Sequence, residues 1–290
     1  MDIEALKAFL AVATAKSFSN AAERLFLTQS AISKRIATLE AELGVPLFNR
    51  MGRQILLTDA GLVLLPKARH ILEEVSESRR LIANLSRNVS GPLRLVTSHH
   101  IGLHRLPSAL RDYKRQYPLV ELDIQFMDSE TACRAVADGT FELGVVTLPD
   151  PPIERLRQTT IWTDYLQIVV ASDHPIAKPS NTDLEQLSLT PAILPEGGTI
   201  TREIIEKPFR EQQLNLNIVL ETNYLETIRM MVSVGMGWSA LPATMHDSDL
   251  TVLKVPFLEP TRRLGIVAHK QRTSSNAAKA FEKLLLENQE

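Results

Sequence analysis

The sequence has one cysteine, no long apolar run and little net charge. Cys133 is the only cysteine among 290 residues, so no disulfide can form within the chain, which favours a reducing compartment. No apolar run approaches the roughly 18 residues that a membrane-spanning helix requires. Acidic residues also follow Met1 where a signal peptide would carry positive charge. These features together predict a cytoplasmic protein.

The net charge of −2 gives no sign of a nucleic-acid partner, but the charges are unevenly distributed. Residues 1–90 contain 12 basic and 9 acidic side chains, whereas residues 91–290 contain 20 and 25. Within residues 24–53, five basic side chains face only two acidic ones. The length predicts at least two folded units. The charge distribution gives the first of them a small basic region.

Three short helical patterns open the chain, and the second and third are separated by a very tight turn. Ser19 is the predicted N-cap of the second helix and Thr28 that of the third. The third helix is predicted to end at Gly44, before Pro46. Its apolar stripe would pack against the other two helices.

The opposite face of this third helix is small, polar and basic. Ser30, Ser33, Lys34 and Ala37 recur there at helical spacing. Such a face can enter a DNA major groove, because short side chains allow close approach and hydroxyl and ammonium groups reach base edges and phosphates. For the pattern alone, a solvated helix face is the plainer interpretation.

The residues that follow favour the DNA-binding interpretation. Residues 47–50 and 54–57 read as two short strands around Met51 and Gly52, which predicts a hairpin with Arg50 and Arg53 near its tip. In a winged helix-turn-helix, such a wing lies along a groove edge, where guanidinium groups neutralise phosphates or enter the minor groove.

At this point the sequence resembles the DNA-binding signature of LysR-type transcriptional regulators. The resemblance covers Ser17–Leu25 and Thr28–Ile36, then Leu43–Gly44, Leu47–Phe48 and Leu57–Gly61, all at the family's spacing. It implies a winged helix-turn-helix domain that binds double-stranded DNA. The implied contacts are Gln29, Ser30, Ser33, Lys34 and Arg35 on the recognition helix, with Arg50 and Arg53 on the wing.

A long helix is predicted between the two halves of the chain. Apolar and small residues follow Thr58 in alternating steps of four and three, as in a coiled-coil seam, up to a helix break at Ser90 to Pro92. This seam could pack on the chain's own core or pair two chains, and we favour pairing because charges surround it. The resemblance implies a homodimer through this helix and a homotetramer in total, with two recognition helices on two-fold related half-sites. The seam consists of Leu64, Ala68, Ile71, Val75, Ser78, Ile82 and Leu85.

Beyond Pro92, strand and helix patterns alternate, which predicts an α/β domain. The predicted organisation is a DNA-binding domain at 1–58, a linker helix at 59–90 and an effector-binding domain at 91–290. A second series of strands indicates two lobes, lobe I at about 91–162 plus 268–290 and lobe II at about 163–267. The resemblance implies the two-lobed fold of periplasmic binding proteins.

Polar residues that follow strands are the candidates for binding a small molecule, because ligands of open α/β sheets lie beyond the carboxyl ends of the strands. Any one hydroxyl could instead cap a helix. The resemblance implies that Ser98 and Ser129 bind an effector and that residues 198–201 face them. The full set is Thr97, Ser98, His99, Asp128, Ser129, Thr147, Gly198, Thr199, Thr201, Thr222 and Asn223, with Glu196 and Gly197 at the start of one segment.

Three features resemble a metal site, a dinucleotide-binding turn and a redox-active cysteine, but none of them is sufficient to predict that function. His100 and His104 stand four residues apart beside His99, but a further ligand set is missing, so we expect a polar pocket wall or satisfied histidines rather than a metal site. The G-x-G-x-x-A pattern at 235–240 follows a helix rather than a strand, which excludes a dinucleotide-binding turn. Cys133 has no resolving cysteine, so we expect structural burial.

Two classes of function remain. The first is a transcriptional regulator whose DNA binding changes when a small molecule closes the two lobes. The second is a solute-binding or catalytic α/β protein with an accessory DNA-binding domain. No nucleophile elbow, phosphate loop or paired metal-ligand motif supports catalysis. We therefore predict a regulator with no catalytic residues, cofactor or metal.

Overall fold

The computed structural model describes residues 1–51, 54–85, 88–178 and 182–288, with the backbone alone at positions 50, 51, 54 and 83. The chain divides into two compact units, residues 1–85 and 86–290. None of the helices in these ranges combines the length and apolar composition needed to cross a membrane.

The first unit is a three-helix head with a β-hairpin and a long fourth helix. Its elements are α1 (Ile3–Ala15), α2 (Phe18–Arg24), α3 (Gln29–Leu43), β1 (Phe48–Met51), β2 (Gln54–Leu57) and α4 (Asp59–Asn84). The N-cap of α2 is Ser17, whose side chain accepts a hydrogen bond from Asn20 N, so the prediction of Ser19 is wrong. As predicted, the Thr28 side chain caps α3 and Gly44 ends it in the left-handed region.

The buried faces of these elements form one apolar core. Ile32, Ile36 and Leu39 of α3 are fully buried against α1 and α2, and Phe48 of the hairpin packs on Phe9 with ring centroids 5.4 Å apart. The carboxylate of Glu40 accepts hydrogen bonds from the backbone N–H groups of Leu47 and Phe48, 2.6 and 3.3 Å away. This side chain ties the hairpin to α3.

The long helix α4 ends at Asn84, before the predicted limit at 89. Leu85 N–H donates to Ile82 O, three residues earlier, which closes the last turn tightly. Its N-terminal half packs on the core of the head, with Ala68 fully buried. Near its other end, Leu81, Ile82 and Leu85 are 50, 69 and 84% exposed.

The second unit is built on a mixed seven-stranded sheet flanked by helices. Its strands are β3 (Gly91–Thr97), β4 (Val120–Phe126), β5 (Leu143–Thr147), β6 (Leu156–Ala171), β7 (Ala192–Leu194), β8 (Ile218–Glu221), β9 (Ser239–Pro242), β10 (Leu250–Leu253) and β11 (Thr261–His269). Its helices are α5 (His99–His104), α6 (Leu106–Gln116), α7 (Ser129–Ala137), α8 (Leu184–Leu189), α9 (Ile200–Glu211), α10 (Leu225–Ser233) and α11 (Asn276–Glu287). The sheet order is β10-β6-β11-β5-β3-β4, with β9 also paired to β6 and a separate β7-β8 pair.

The apolar cores fall into two lobes, joined by β6 and β11. In lobe I, strands β3, β4, β5 and β11 pack between α6 and α11 on one face and α7 on the other. In lobe II, strands β7 to β10 and the second half of β6 pack on α8, α9 and α10. The predicted winged helix-turn-helix and two-lobed α/β folds are confirmed.

The chain returns to lobe I earlier than predicted. Residues Leu264–Ala268 of β11 already pair with β5, and Leu264 and Ile266 are buried in the core of lobe I. A limit of lobe II at residue 267 is therefore too late. The apolar run of β11 gives no local sign of which lobe it joins, because both cores are built from such strands.

The glycine pattern at 235–240 connects a helix to a strand. Gly235 follows α10 with a φ of +83°, and Trp238 then donates its Nε1–H to Leu187 O, 3.0 Å away. A Cβ atom at Gly237 would lie 2.2 Å from Pro191 O, whereas a Cβ at Gly235 would meet nothing within 4 Å. Gly237 thus permits the close approach that buries Trp238.

These two glycines give a matched test. We expect Gly237→Ala to lower the free energy of unfolding by about 3 kcal/mol or more because its Cβ collides with backbone. Gly235→Ala should cost only about 1 kcal/mol, from left-handed strain. Urea unfolding followed by tryptophan fluorescence reports the second unit alone, since both tryptophans, Trp162 and Trp238, lie there. Equal losses in the two variants would contradict this account.

Candidate functional site

The exposed face of α3 carries the residues predicted to contact DNA. Gln29, Ser30 and Lys34 are exposed and Ser33 is half-buried, on the side of the helix away from the buried Ile32 and its neighbours. The Ser30 hydroxyl hydrogen-bonds the Thr28 cap at 3.0 Å. A polar, unobstructed strip therefore runs along the first turns of α3.

Arginine residues of this unit differ in what they can reach. Arg35 Nη1 lies 3.2 Å from Glu4 Oε2, so this guanidinium is directed at α1 and its charge is partly compensated. Arg50 lies on β1, where the structure describes its backbone only, and Arg53 lies outside the described residues. The remaining described cation on the strip is Lys34.

The second unit contains a cleft of about 340 Å³ between its lobes. Eight predicted residues line it: Ser98, His99, Asp128, Ser129, Thr147, Thr199, Thr201 and Asn223. Thr97, Gly198 and Thr222 do not. Thr97 is fully buried and its hydroxyl donates to Val145 O at 2.8 Å, because its side chain points into the sheet rather than beyond it.

The lobe I wall presents two hydroxyl groups at strand ends. Ser98 precedes α5 as its N-cap, yet its side chain makes no capping hydrogen bond, so the hydroxyl is available to a ligand. Ser129 Oγ accepts a hydrogen bond from Thr147 N at 3.0 Å, which leaves its O–H to donate. His99 lies beside them, with its ring 5.4 Å from Phe126 and 4.9 Å from Tyr224.

The lobe II wall is a segment held by its own hydrogen bonds. The Thr199 hydroxyl donates to Glu196 O and accepts from Arg202 N, so it caps α9. Asn223 accepts from Glu196 N at 3.0 Å and donates to the Glu196 carboxylate at 3.2 Å. For Thr199, the simpler prediction of a helix cap describes the contacts observed, whereas Asn223 holds the Glu196 segment in place.

One carboxylate from lobe I reaches across the cleft. Glu130 Oε1 accepts a hydrogen bond from Ile200 N, the first residue of α9, at 2.6 Å. Burial raises the pKa of Glu130, against the hydrogen bond from Ile200, which lowers it. Asp128, which caps α7, has a lowered pKa: burial opposes ionisation there, but hydrogen bonds from Thr131 outweigh it. Acidic groups thus line one side of the cleft.

Sequence reasoning missed a buried ion pair on the shared strands, of which Arg262 lines the cleft. Arg262 of β11 and Asp164 of β6 are register partners, and Arg262 Nε donates to Asp164 Oδ2 at 2.8 Å. Arg262 Nη2 lies 2.7 Å from the same oxygen, close enough for an ion pair although its N–H is not aligned for a hydrogen bond. Arg262 Nη1 also donates to the Thr201 hydroxyl at 3.2 Å. No sequence signal singled out the pair, because both strands carry other charged residues, such as Arg157 and Arg263.

Cys133 lies in the lobe I core and is 1% exposed. Burial, with a smaller contribution from the nearby Glu130 carboxylate, raises the pKa of its thiol to about 12. The thiolate form that reacts with oxidants is therefore disfavoured. Cys133 is therefore a buried structural residue, as predicted.

Comparisons with known families agree with this organisation. The family model described as LysR substrate binding domain matches residues 86–290. The model described as bacterial regulatory helix-turn-helix protein, lysR family, matches residues 3–62. The first of these alone covers more than half of the chain.

Individual relatives match over nearly the whole length. A probable nitrogen assimilation transcriptional activator of Synechococcus elongatus is 32% identical over 99% of this chain and 95% of its own. The crystal structure of full-length CbnR complexed with target DNA is 22% identical, covers 100% of both chains and has a TM-score of 0.65. The CcmR regulatory domain of Synechocystis PCC6803 in complex with 2-PG is 23% identical, covers 69% of this chain and 98% of that chain, and has a TM-score of 0.62.

Because the two solved structures are less than 25% identical to this chain, they establish only that the fold is shared. The family models and the Synechococcus relative establish that the chain belongs to the same family. The head with its hairpin and the two-lobed second unit are the parts that these models describe. An enzyme with an accessory DNA-binding domain is therefore set aside. The chain belongs to the lysR family of bacterial regulatory helix-turn-helix proteins, and it is a transcriptional regulator with a LysR substrate-binding domain.

Proposed function

We propose that this regulator binds promoter DNA through α3 and the β1–β2 hairpin, as a dimer paired by α4, and that a small molecule in the cleft between the lobes modulates that binding. The observation that carries the proposal is the exposed polar strip on α3, on a helix whose opposite face is fixed in the core. The proposed division is a DNA reader at 1–58, a linker helix within 59–90 and an effector domain at 91–290. A cytoplasmic location is part of this proposal.

The strip suits a major groove for steric and chemical reasons. Its hydroxyl and amide groups can exchange hydrogen bonds with base edges, while the Lys34 ammonium neutralises a phosphate. CbnR, which shares the fold, was solved on its target DNA, which supports this use of the head. The proposed contacts are Gln29, Ser30, Ser33 and Lys34, with Arg35, Arg50 and Arg53 flanking them.

Pairing through α4 is supported by its exposed apolar end. Leu81, Ile82 and Leu85 would leave three large apolar side chains in water on an isolated chain. Two such helices side by side would bury them in a coiled-coil seam. A dimer, and a tetramer built from two dimers, would present paired heads to two-fold related half-sites.

The cleft suits a small polar ligand. Hydroxyl groups from both lobes and the Arg262 guanidinium converge on it, and the fold neighbour CcmR holds 2-PG in its regulatory domain. A ligand that contacts both lobes favours the closed arrangement and thereby shifts the populations of DNA-binding states. The proposed effector contacts are Ser98, His99, Asp128, Ser129, Thr147, Thr199, Thr201 and Asn223, with Thr97, Gly198 and Thr222 in a supporting position.

The division of roles on α3 can be tested by substitution. Lys34→Ala should weaken binding to all DNA alike and lower the salt slope by about 1, because one phosphate contact is lost. Ser33→Ala and Gln29→Ala should instead reduce discrimination between specific and random DNA by about 1–3 kcal/mol each. The measurement is fluorescence anisotropy over a salt series with DNA from upstream of the protein's own gene and a random duplex. Lys67→Ala, an exposed lysine on α4, is the control; equal loss for both duplexes in all three α3 variants would refute the division.

Pairing through α4 predicts an effect of charge in the seam. Ile82→Asp should dissociate the dimer in sedimentation velocity, because two carboxylates cannot share an apolar seam. Affinity for the upstream DNA should fall roughly 100-fold as the two heads lose their linkage. Ser76→Asp places the same charge on α4 outside the seam and should leave the assembly intact. A dimeric Ile82→Asp protein would show that the pairing surface lies elsewhere.

The effector site predicts ligand-dependent stabilisation. We expect at least one compound in a panel of small carboxylic acids and phosphorylated metabolites, 2-PG included, to raise the melting temperature of the full chain, by mass action. Ser98→Ala should abolish that shift without lowering the ligand-free melting temperature, because its hydroxyl makes no capping bond. Ser233→Ala, which removes a half-buried hydroxyl outside the cleft that donates to Met230 O, is the control. A shift retained in Ser98→Ala and Ser129→Ala would place the ligand elsewhere.

A further inference from the structure

Three side chains of the types that bind metal ions lie together beside the cleft. His100 and His104 lie one turn apart on α5, with ring centroids 4.7 Å apart, and Glu226 of α10 faces both. Glu226 Oε1 lies 2.9 Å from His104 Nε2 and 3.9 Å from His100 Nδ1. One ligand atom from each of the three side chains can be chosen so that all lie within 4.8 Å of one another.

These separations are close to those of a metal site. Two ligands of a tetrahedral zinc ion, each at about 2.0–2.1 Å, are about 3.4 Å apart. Small side-chain rotations bring the three groups to that spacing, and Glu226 has room for them because its side chain is 40% exposed. The sequence shows the histidine pair alone; the fold supplies the carboxylate from 122 residues further along the chain.

His100 provides an independent indication of a ligand. It is 5% exposed, and its Nδ1 atom is buried without a hydrogen-bond partner. A buried ring nitrogen left without a partner costs free energy, so such atoms are rare unless something binds them. The same Nδ1 atom lies 3.9 Å from Glu226 Oε1, on the side of the ring that faces the cluster. His100 does form part of a polar pocket wall, which was one of the two expectations, but its Nδ1 atom is not satisfied.

We propose that His100, His104 and Glu226 bind a divalent first-row transition metal ion of the zinc type. Imidazole nitrogens with one carboxylate oxygen are donors that such ions prefer over Mg²⁺ or Ca²⁺, which favour all-oxygen ligand sets. On binding, His104 takes the tautomer protonated on Nδ1, and the metal ion replaces the hydrogen that Nε2 shares with Glu226. Three protein ligands leave a fourth position for water or a ligand atom.

The site would join the two lobes. Helix α5 follows β3 in lobe I, with Ile101 buried in that core, whereas α10 packs in lobe II through Leu225 and Ile228. His100 and Leu225 also line the effector cleft. A metal ion held by both helices would therefore favour one arrangement of the lobes, which makes it a candidate effector or co-effector in its own right.

Nearby cations oppose metal binding only in part. Asp164 pairs with Arg262 and lies 3.6 Å from Arg105, which offsets their charge near His100. The Glu226 carboxylate adds a negative charge directly at the site.

The test is zinc affinity of the full chain, measured by competition with a chromophoric chelator. We expect one Zn²⁺ per chain, unaffected by excess Mg²⁺ or Ca²⁺. His104→Ala and Glu226→Gln should each weaken Zn²⁺ binding roughly tenfold or more, since even residues that only support metal ligands cost 10–100-fold. His246→Ala, an exposed histidine outside the cluster, is the matched control. Circular dichroism and metal-free melting temperatures check that each variant is folded.

A second readout reports the ligands themselves. Co²⁺ bound in place of Zn²⁺ should give the intense visible absorption of a four- or five-coordinate nitrogen–oxygen site, and this absorption should be lost in folded His104→Ala. Zn²⁺ should raise the melting temperature of the wild type and of His246→Ala, but not of Glu226→Gln. Equal Zn²⁺ affinity in the wild type and both cluster variants would overturn the proposal, as would a loss in His246→Ala of the same size. Neither result depends on DNA or on the effector proposed above.

Discussion

The Asp164–Arg262 ion pair fixes the centre of the second unit. It joins β6 to β11 where these two strands pass from one lobe to the other, and its two side chains are 3 and 5% exposed. Removing one member of such a pair typically costs about 3–5 kcal/mol, because the other charge is left buried and uncompensated. Arg262 also bonds Thr201 at the start of α9, so the pair sets the register of the shared strands and the position of a lobe II helix.

The lobes are otherwise joined by contacts that can be exchanged. Glu130 of α7 caps the N-terminus of α9 across the cleft, and Glu226 of α10 meets His104 of α5. Each contact places a carboxylate of one lobe on a polar group of the other. An anionic ligand could replace the Glu130 contact, and a metal ion could reorganise the Glu226 contact. Each would change the free-energy difference between arrangements of the two lobes by only a few kcal/mol. That is enough to invert a two-state population, for which about 5.5 kcal/mol spans the range from 1:99 to 99:1.

The sequence predicted features that depend on residues close together in the chain, and it missed features that depend on contacts between distant residues. The polar strip lies on one helix, so residue spacing, the Thr28 cap and Gly44 were sufficient to predict it. The cleft draws on the ends of several strands, and spacing found the hydroxyl-bearing residues there because they follow apolar runs. Arg262, Asp164 and Glu226 escaped prediction because their roles depend on strand register and on the packing of α5 against α10, which no local pattern encodes. Residue type alone could not distinguish Ser17 from Ser19 as the N-cap of α2, since serine suits that role at either position.

The same distinction explains how a chain with a net charge of −2 can work on DNA. A head that is held rigid by an apolar core needs few cations to bind DNA, because the fold fixes the position of each one. One of them, Arg35, is directed toward Glu4. Affinity that one head lacks can be supplied by joining two of them, since the second binding event becomes intramolecular. In the proposed dimer, the exposed apolar end of α4 would join the two heads. If two heads bind together as proposed, net charge understates the capacity for nucleic-acid binding, because assembly multiplies the number of phosphate contacts.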